Sequence, residues 1–285
     1  MKYSHSFPLA VFVAACIAGT LSGGFLLQPR VSAAQAIPVG SSFHYRFLMP
    51  GILNEAGDME DTWSPYWWVN SGAHLILENG IGRTVRGELP WYSKWRQMYA
   101  ISNPIDTDNG YHPQNLFRLV TRSKWQNFRQ DVRFRITDVN MSQSPERNGW
   151  SGVLLFNRYL NGENLYYAGL RMDGYAVVKK KMGGTYYTLS TDPVYVGSYD
   201  RIGNPNLIPQ DRWIGLRSIV QNRSDGSVDI RVYVDKEDNG SWELVSSVTD
   251  DGRTYGGNAL TQQGHAGIRT DFMDVQFDDY KAVSL

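Results

Sequence analysis

Residues 149–189 read GWSGVLLFNRYLNGENLYYAGLRMDGYAVVKKKMGGTYYTL, and this stretch limits the fold more than any other. Three turn pairs, Asn161-Gly162, Asp173-Gly174 and Gly183-Gly184, divide it into four short runs. Glycine at such places tolerates the positive φ of a tight hairpin. The spacing predicts four antiparallel strands over 153–159, 165–172, 175–181 and 185–189. Side chains alternate across a strand. Tyr166, Ala168, Leu170 and Met172 therefore share one face, and Leu165, Tyr167, Gly169 and Arg171 the other. In the third run Ala176 and Val178 oppose Tyr175, Val177, Lys179 and Lys181. One face suits a core. The other carries Tyr, Arg and Lys, an unusual decoration for a face that is merely solvated.

The same alternation recurs along the chain. Val132, Phe134 and Ile136 interleave with Arg133 and Arg135, and Val228, Ile230, Val232 and Val234 fall on one side of a run at 227–235. Further strands are predicted near 43–47, 74–77, 116–120, 212–221, 242–248, 265–270 and 273–283. Only 91–98 invites a helical turn, and the chain is rich in Trp and Tyr, which fit pleated surfaces. Pro65 argues against a central strand through TWSPYWW, so Trp67 and Trp68 are expected to close one end of a core. NEAGDMED at 54–61 reads as a loop, as do the long polar segments 103–115 and 192–209. Many short strands with frequent turns predict an all-β, antiparallel two-sheet β-sandwich.

Residues 1–36 have the character of a leader: Lys2, an apolar run over 9–27, and the small-x-small signal Ala34-Gln35-Ala36. Cleavage near Ala36 is the expectation, giving a secreted or periplasmic protein. Two alternatives stay open. Val13-Ala14-Ala15-Cys16 could be a lipoprotein box that acylates Cys16, and the run could be an uncleaved anchor. Removing 1–36 takes Lys2, Arg30 and no acid, leaving 26 basic against 28 acidic residues, a net charge of −2. Such a balance gives no general attraction to nucleic acid, and no RNA-binding signature is present. Cys16 is the only cysteine, so residues 37–285 hold no disulfide and must rely on a large core. With no linker or repeat in view, 37–285 is expected to be one monomeric domain.

The pieces NGWSGVLLFNRY, LYYAGLRMDGYAVVKKK, RVYVDKEDNGSWELV and GHAGIRTDFMDVQFDDYKAV, in that order, resemble the concanavalin A-like lectin and glucanase superfamily, laminin-G-like jelly rolls. The resemblance spans nearly all of 37–285. It implies a jelly roll whose polar-aromatic sheet meets glycan, and often a structural calcium ion between the first and last strands. Asp278 and Asp279 match the acidic last strand of that family, and Asp58 and Glu60 in the acidic loop are the expected co-ligands. No organic cofactor is implied. The glucanases of the superfamily carry an E-x-D-x-x-E run that aligns carboxylates beside the scissile bond, and this chain has none. The R-x-E-x-R and Q-I-H strands of its alginate lyases are missing too.

Three functions follow as expectations. The first is a secreted protein that binds or processes a polysaccharide, an anionic one by its basic residues. The second is a lyase acting on a uronate, which needs a cation to neutralise the carboxylate, a base and an acid. The third is a non-catalytic structural module of the cell surface. Catalysis is left open. The candidate ligand-binding residues are Arg158, Tyr167, Arg171, Lys179 and Lys181 on the meander face, with His112, Gln114 and Asn115 from the long loop. The run Lys179-Lys180-Lys181 has a plainer reading as a solvated stretch beside a turn. HExxH, Walker and nucleotide-binding patterns are absent, and isolated histidines such as His265 read as structural.

Overall fold

The computed structural model describes residues 41–285. The expected leader, its cleavage signal and Cys16 lie outside the described residues. Five short strands come first: β1 (Ser42–Tyr45), β2 (Gly51–Asn54), β3 (Trp67–Ser71), β4 (His74–Glu78) and β5 (Ile81–Arg83). Helix α1 (Lys94–Ser102) covers the place where a helical turn was expected. Next are β6 (Phe117–Trp125) and β7 (Phe128–Val139), then the meander of β8 (Gly152–Asn161), β9 (Asn164–Arg171), β10 (Tyr175–Met182) and β11 (Thr185–Pro193). The chain ends with β12 (Ile214–Asn222), β13 (Val228–Asp235), β14 (Glu243–Asp250), β15 (Gly264–Thr270) and β16 (Met273–Ser284).

Two antiparallel sheets form the sandwich. The seven-stranded sheet runs β11-β10-β9-β8-β15-β6-β3. The nine-stranded sheet runs β14-β13-β12-β7-β16-β5-β4-β2, with β1 added on β16. First and last strands therefore pair, as the jelly-roll resemblance implies. β3 starts two residues after Pro65 and is an edge strand, where the missing N–H of proline does least harm.

Alternation puts Val153, Leu155, Tyr166, Ala168, Leu170, Ala176 and Val178 of one sheet against Val132, Phe134, Ile136, Leu216, Val232 and Phe277 of the other. Each fully buried Val, Leu, Ile or Phe among these contributes about 1.5–3 kcal/mol. The interior also holds polar clasps. Gln130 on β7 donates to Phe156 O at 2.7 Å and to Asn157 Oδ1 at 3.0 Å, and Tyr280 donates to Gln130 Oε1 at 2.9 Å. At the edge, the hydroxyls of Ser190 on β11 and Ser246 on β14 meet at 2.6 Å.

Lys180 corrects the solvated reading of the lysine run. It is 0 % exposed, because period-two alternation from Ala176 and Val178 turns it into the core. Its Nζ lies 3.0 and 2.9 Å from the two carboxylate oxygens of Asp250, also 0 % exposed, and 2.9 Å from Gly257 O. Tyr166 donates its hydroxyl to Asp250 at 2.7 Å and accepts the Leu260 N–H at 2.9 Å. Gly252 N–H supplies another bond to the same carboxylate at 3.0 Å. Removing one member leaves a buried charge without compensation. Lys180→Met is expected to cost about 3–5 kcal/mol in urea unfolding, whereas Lys180→Met combined with Asp250→Leu should recover most of the loss.

Candidate functional site

The outer face of the seven-stranded sheet carries a recess of about 460 Å³. Registers explain its floor. Val177, Gly169, Leu154, Arg269 and Arg118 are successive cross-strand partners on β10, β9, β8, β15 and β6. Gly169 places no side chain between Val177 and Leu154, so the floor stays low there. In the next row Lys179 stands beside Tyr167 and Tyr167 beside Phe156. Tyr186, on the edge strand β11, stacks on Tyr167 with ring centroids 6.0 Å apart.

The walls come from two loops. Residues 144–151 supply Glu146, Asn148, Trp150 and Ser151, and residues 103–116 supply Asp106 and Leu116. The loops are pinned together: Ser142 donates to Asp108 and Ser144 to Asp106, each at 2.6 Å. Trp150, 46 % exposed, stands up between two cations. The Arg171 guanidinium lies 3.5 Å from its ring centroid and the Lys179 ammonium 3.8 Å, close enough for cation–π attraction.

Charge is unevenly neutralised in the recess. Arg269 is bonded to Asp271 at 2.8 Å, and Arg171 is paired with Asp173. Among the described residues, Lys179 has no carboxylate within ion-pair distance. Burial, then the nearby Arg171 and Arg269, pushes its pKa down to about 8, against a smaller upward pull from Asp271. Burial pushes the Tyr167 phenol up to about 12. Burial would raise Tyr186 as well, but Arg269, a hydrogen bond with Tyr167 and Lys181 together hold it below the ordinary tyrosine value. The recess therefore offers aromatic faces, an unpaired ammonium, guanidinium forks and an acidified phenol within one small volume.

The sequence candidates separate into two groups. Tyr167 and Lys179 line the recess, and Arg171 supports its Trp150 wall. Lys181 lies 5.0 Å from the Tyr186 ring and donates to Gly162 O at 2.8 Å. Arg158 is not on this face. It is 0 % exposed, with φ at 54°, and donates to Gln126 O at 2.9 Å, Leu260 O at 2.6 Å and Asn222 Oδ1 at 2.6 Å. The register of β8 on β9 breaks between Asn157 and Asn161. This bulge reverses the parity, so Arg158 turns inward and Tyr159 joins the outer apolar cluster. The loop candidates also serve structure. Gln114 donates to Gly87 O at 2.8 Å and Asp274 at 2.9 Å, and Asn115 donates to Asp106 O at 2.8 Å. Both are 0 % exposed, and His112 sits 3.4 Å from the Gln114 amide.

Trp150, Tyr186, Arg118 and Arg269 were not among the sequence candidates. Arg118 lies between the buried Phe117 and Leu119, and Arg269 between the buried Ile268 and Thr270, which marks an outward position. No local pattern reveals that β6 and β15 are neighbours and place the two guanidinium groups side by side.

The four acids assigned to calcium do not fit a single ion. Asp278 accepts from Arg133 at 2.9 Å, and Asp279 is engaged by His44 and Lys281 on the nine-stranded sheet. The loop of Asp58 and Glu60 instead packs Ala56 and Met59 against the outer face of the other sheet. That loop and β16 therefore lie on different layers. Among the described residues no three His, Cys, Asp or Glu side chains gather as a metal cluster.

No family model matches the chain, and no curated protein does either. It is similar in fold to several solved structures. A Bacillus subtilis protein of unknown function with a galectin-like fold is 12 % identical, over 87 % of this chain and 97 % of that one, with a TM-score of 0.46. The carbohydrate-binding module CBM66 from Bacillus subtilis is 13 % identical, over 59 % of this chain and 82 % of that one, with a TM-score of 0.42. A GH43 protein from Bacillus licheniformis is 13 % identical with a TM-score of 0.45; the match covers 85 % of this chain but 39 % of that one.

Two outcomes check these placements. Arg158→Ala is expected to lower the urea midpoint, since it orphans buried carbonyls, and to leave the recess intact by near-ultraviolet circular dichroism. Asp278→Asn is expected to lower the melting temperature through loss of the Arg133 pair, equally in excess calcium and in chelator. A bound ion would make the two conditions differ by linkage.

Proposed function

We propose that this is an exported glycan-binding protein that takes an acidic carbohydrate in the recess of the seven-stranded sheet. One observation carries the reading: Lys179, Arg118 and Arg269 interleave with Trp150, Tyr167 and Tyr186 around a single 460 Å³ volume. Aromatic faces stack on the apolar faces of sugar rings, and guanidinium forks grip carboxylates in pairs. Asp106 and Asp271 are already engaged by Ser144 and Arg269, which leaves Glu146 on the rim as the opposing charge. The unpaired Lys179 therefore favours an anionic ligand over a neutral one. The leader-like composition of residues 1–36 supports export.

A second reading is favoured by Tyr186. A phenol held below its ordinary value beside Lys179 and Arg269 suits the base of a uronate lyase. The base would take the proton beside the carboxylate, the C–H pair would form the ring double bond, and the glycosidic C–O bond would break with protonation of the leaving oxygen. The product absorbs ultraviolet light, so one assay separates the readings.

The test is a glycan array with an ultraviolet assay on alginate, glucuronan and polygalacturonate. Binding without a rise in absorbance supports a lectin-like protein, and a rise that Tyr186→Phe abolishes supports the lyase. A folded protein that binds no glycan would point to a structural module. Lys179→Ala and Arg269→Ala are each expected to weaken binding of a uronate by about 1.5–3 kcal/mol, the worth of a hydrogen bond to a charged group. Binding should also depend on pH. Lys179 is charged below about 8 and neutral above, so affinity should hold near neutrality and fall as pH rises. A bound carboxylate favours the ammonium and moves that fall upward from the free-protein value. Lys179→Arg should flatten the profile.

A further inference from the structure

The outer face of the seven-stranded sheet is wider than the recess. Its apolar residues form one cluster of Trp68, Val120, Leu154, Phe156, Tyr159, Leu165, Tyr167 and Val177, yet of these only Leu154, Tyr167 and Val177 line the recess. The protein covers the cluster with its own chain. Ala56 and Met59 pack against it, and the Trp68 indole donates to Ala56 O at 2.8 Å. This segment is tied down at both ends. Glu55 N–H bonds to Ala73 O at 2.8 Å, and Ala56 N–H to Val69 O at 3.1 Å. The Glu55 carboxylate accepts from the Ala73 N–H at 2.9 Å and from the Tyr99 hydroxyl at 2.6 Å. At the other end, Thr62 donates to Trp67 O at 3.1 Å.

Resting on the acidic-glycan reading, we infer that the recess receives the terminus of an oligosaccharide and not the interior of a long chain. A polymer lying across the sheet needs an entrance and an exit. Asp106, Leu116 and residues 146–151 wall the end of the sheet at which β6 and β8 begin, and segment 55–61 packs Ala56 and Met59 on the outer apolar cluster from the β3 side. The lateral side opposite β3 is marked by Tyr186, 51 % exposed on the edge strand β11. A volume of 460 Å³ lies in the lower half of the roughly 300–1,000 Å³ range of small-molecule pockets, room for a short unit. The terminal ring sits on the Leu154 and Val177 floor against Trp150 and Tyr167, with its carboxylate toward Lys179 and Arg269. The rest of the chain leaves past Tyr186.

Calorimetry with oligogalacturonates, oligoglucuronates and oligomannuronates from one to six units tests this. For the series that binds, affinity should level off after the first one or two units. Blocking one end with an aromatic amide label should weaken binding by about tenfold or more, while the same label on the other end leaves it within about twofold. Affinity that keeps rising through six units, or equal tolerance of labels at both ends, overturns the terminal mode and leaves the acidic-glycan reading intact. Failure of every series to bind a folded protein overturns both. Deleting residues 57–60, in a variant shown to melt cooperatively, should extend the affinity gain to longer oligomers. An unchanged length profile in that variant counts against segment 55–61 as the barrier.

Discussion

A lysine and an aspartate with no water contact bridge the two layers of this protein. Lys180 comes from β10 and Asp250 from the end of β14, so their ion pair ties one sheet to the other. Charges in such a place cost several kcal/mol each to desolvate, and the interaction holds only if every remaining lone pair and proton finds a partner. Here Tyr166, Gly252 and Gly257 supply those partners. The same contacts fix the segment after β14, whose Leu260 accepts from Arg158 and donates to Tyr166. The outer decoration of β9 and β10 depends on this inner anchor. Tyr167 and Lys179 face the recess because Tyr166 and Lys180, their chain neighbours, are locked inward.

The recess is a product of parity and of two loops. Alternation alone yields a face with Tyr167, Lys179 and Lys181. The bulge in β8 then removes Arg158 from that face, and the pinned loops 103–116 and 144–151 raise walls around what remains. Burial lowers Lys179 and raises Tyr167, while Arg269, the hydrogen bond with Tyr167 and Lys181 hold Tyr186 down against its own burial.

Much of the fold was legible because one-sided burial imposes a period of two. The meander, the alternation of β7 and the inward face of β13 all follow from spacing. Lys180 shows how the same rule is missed: three consecutive lysines look solvated, although alternation from Val178 turns the middle one inward. Arg158 shows the opposite failure. Its position satisfies strict alternation, and only a left-handed residue within the strand, invisible to composition, redirects it. Arg118, Arg269 and Trp150 were hidden for a third reason. They reach the recess through strand order and loop docking, which depend on partners far away in sequence. The acids named for calcium are separated for the same reason: Asp278 and Asp279 lie on β16 of one sheet, whereas the loop of Asp58 and Glu60 packs on the other.

The hydroxyl contact between Ser190 and Ser246 joins two strands that each end a sheet. Edge strands expose unpaired N–H and C=O groups that can recruit a strand from another molecule. Where β11 and β14 lean on one another, an incoming strand would first have to prise the layers apart. The sandwich thus guards this seam against β-type self-association with two of the smallest side chains it has.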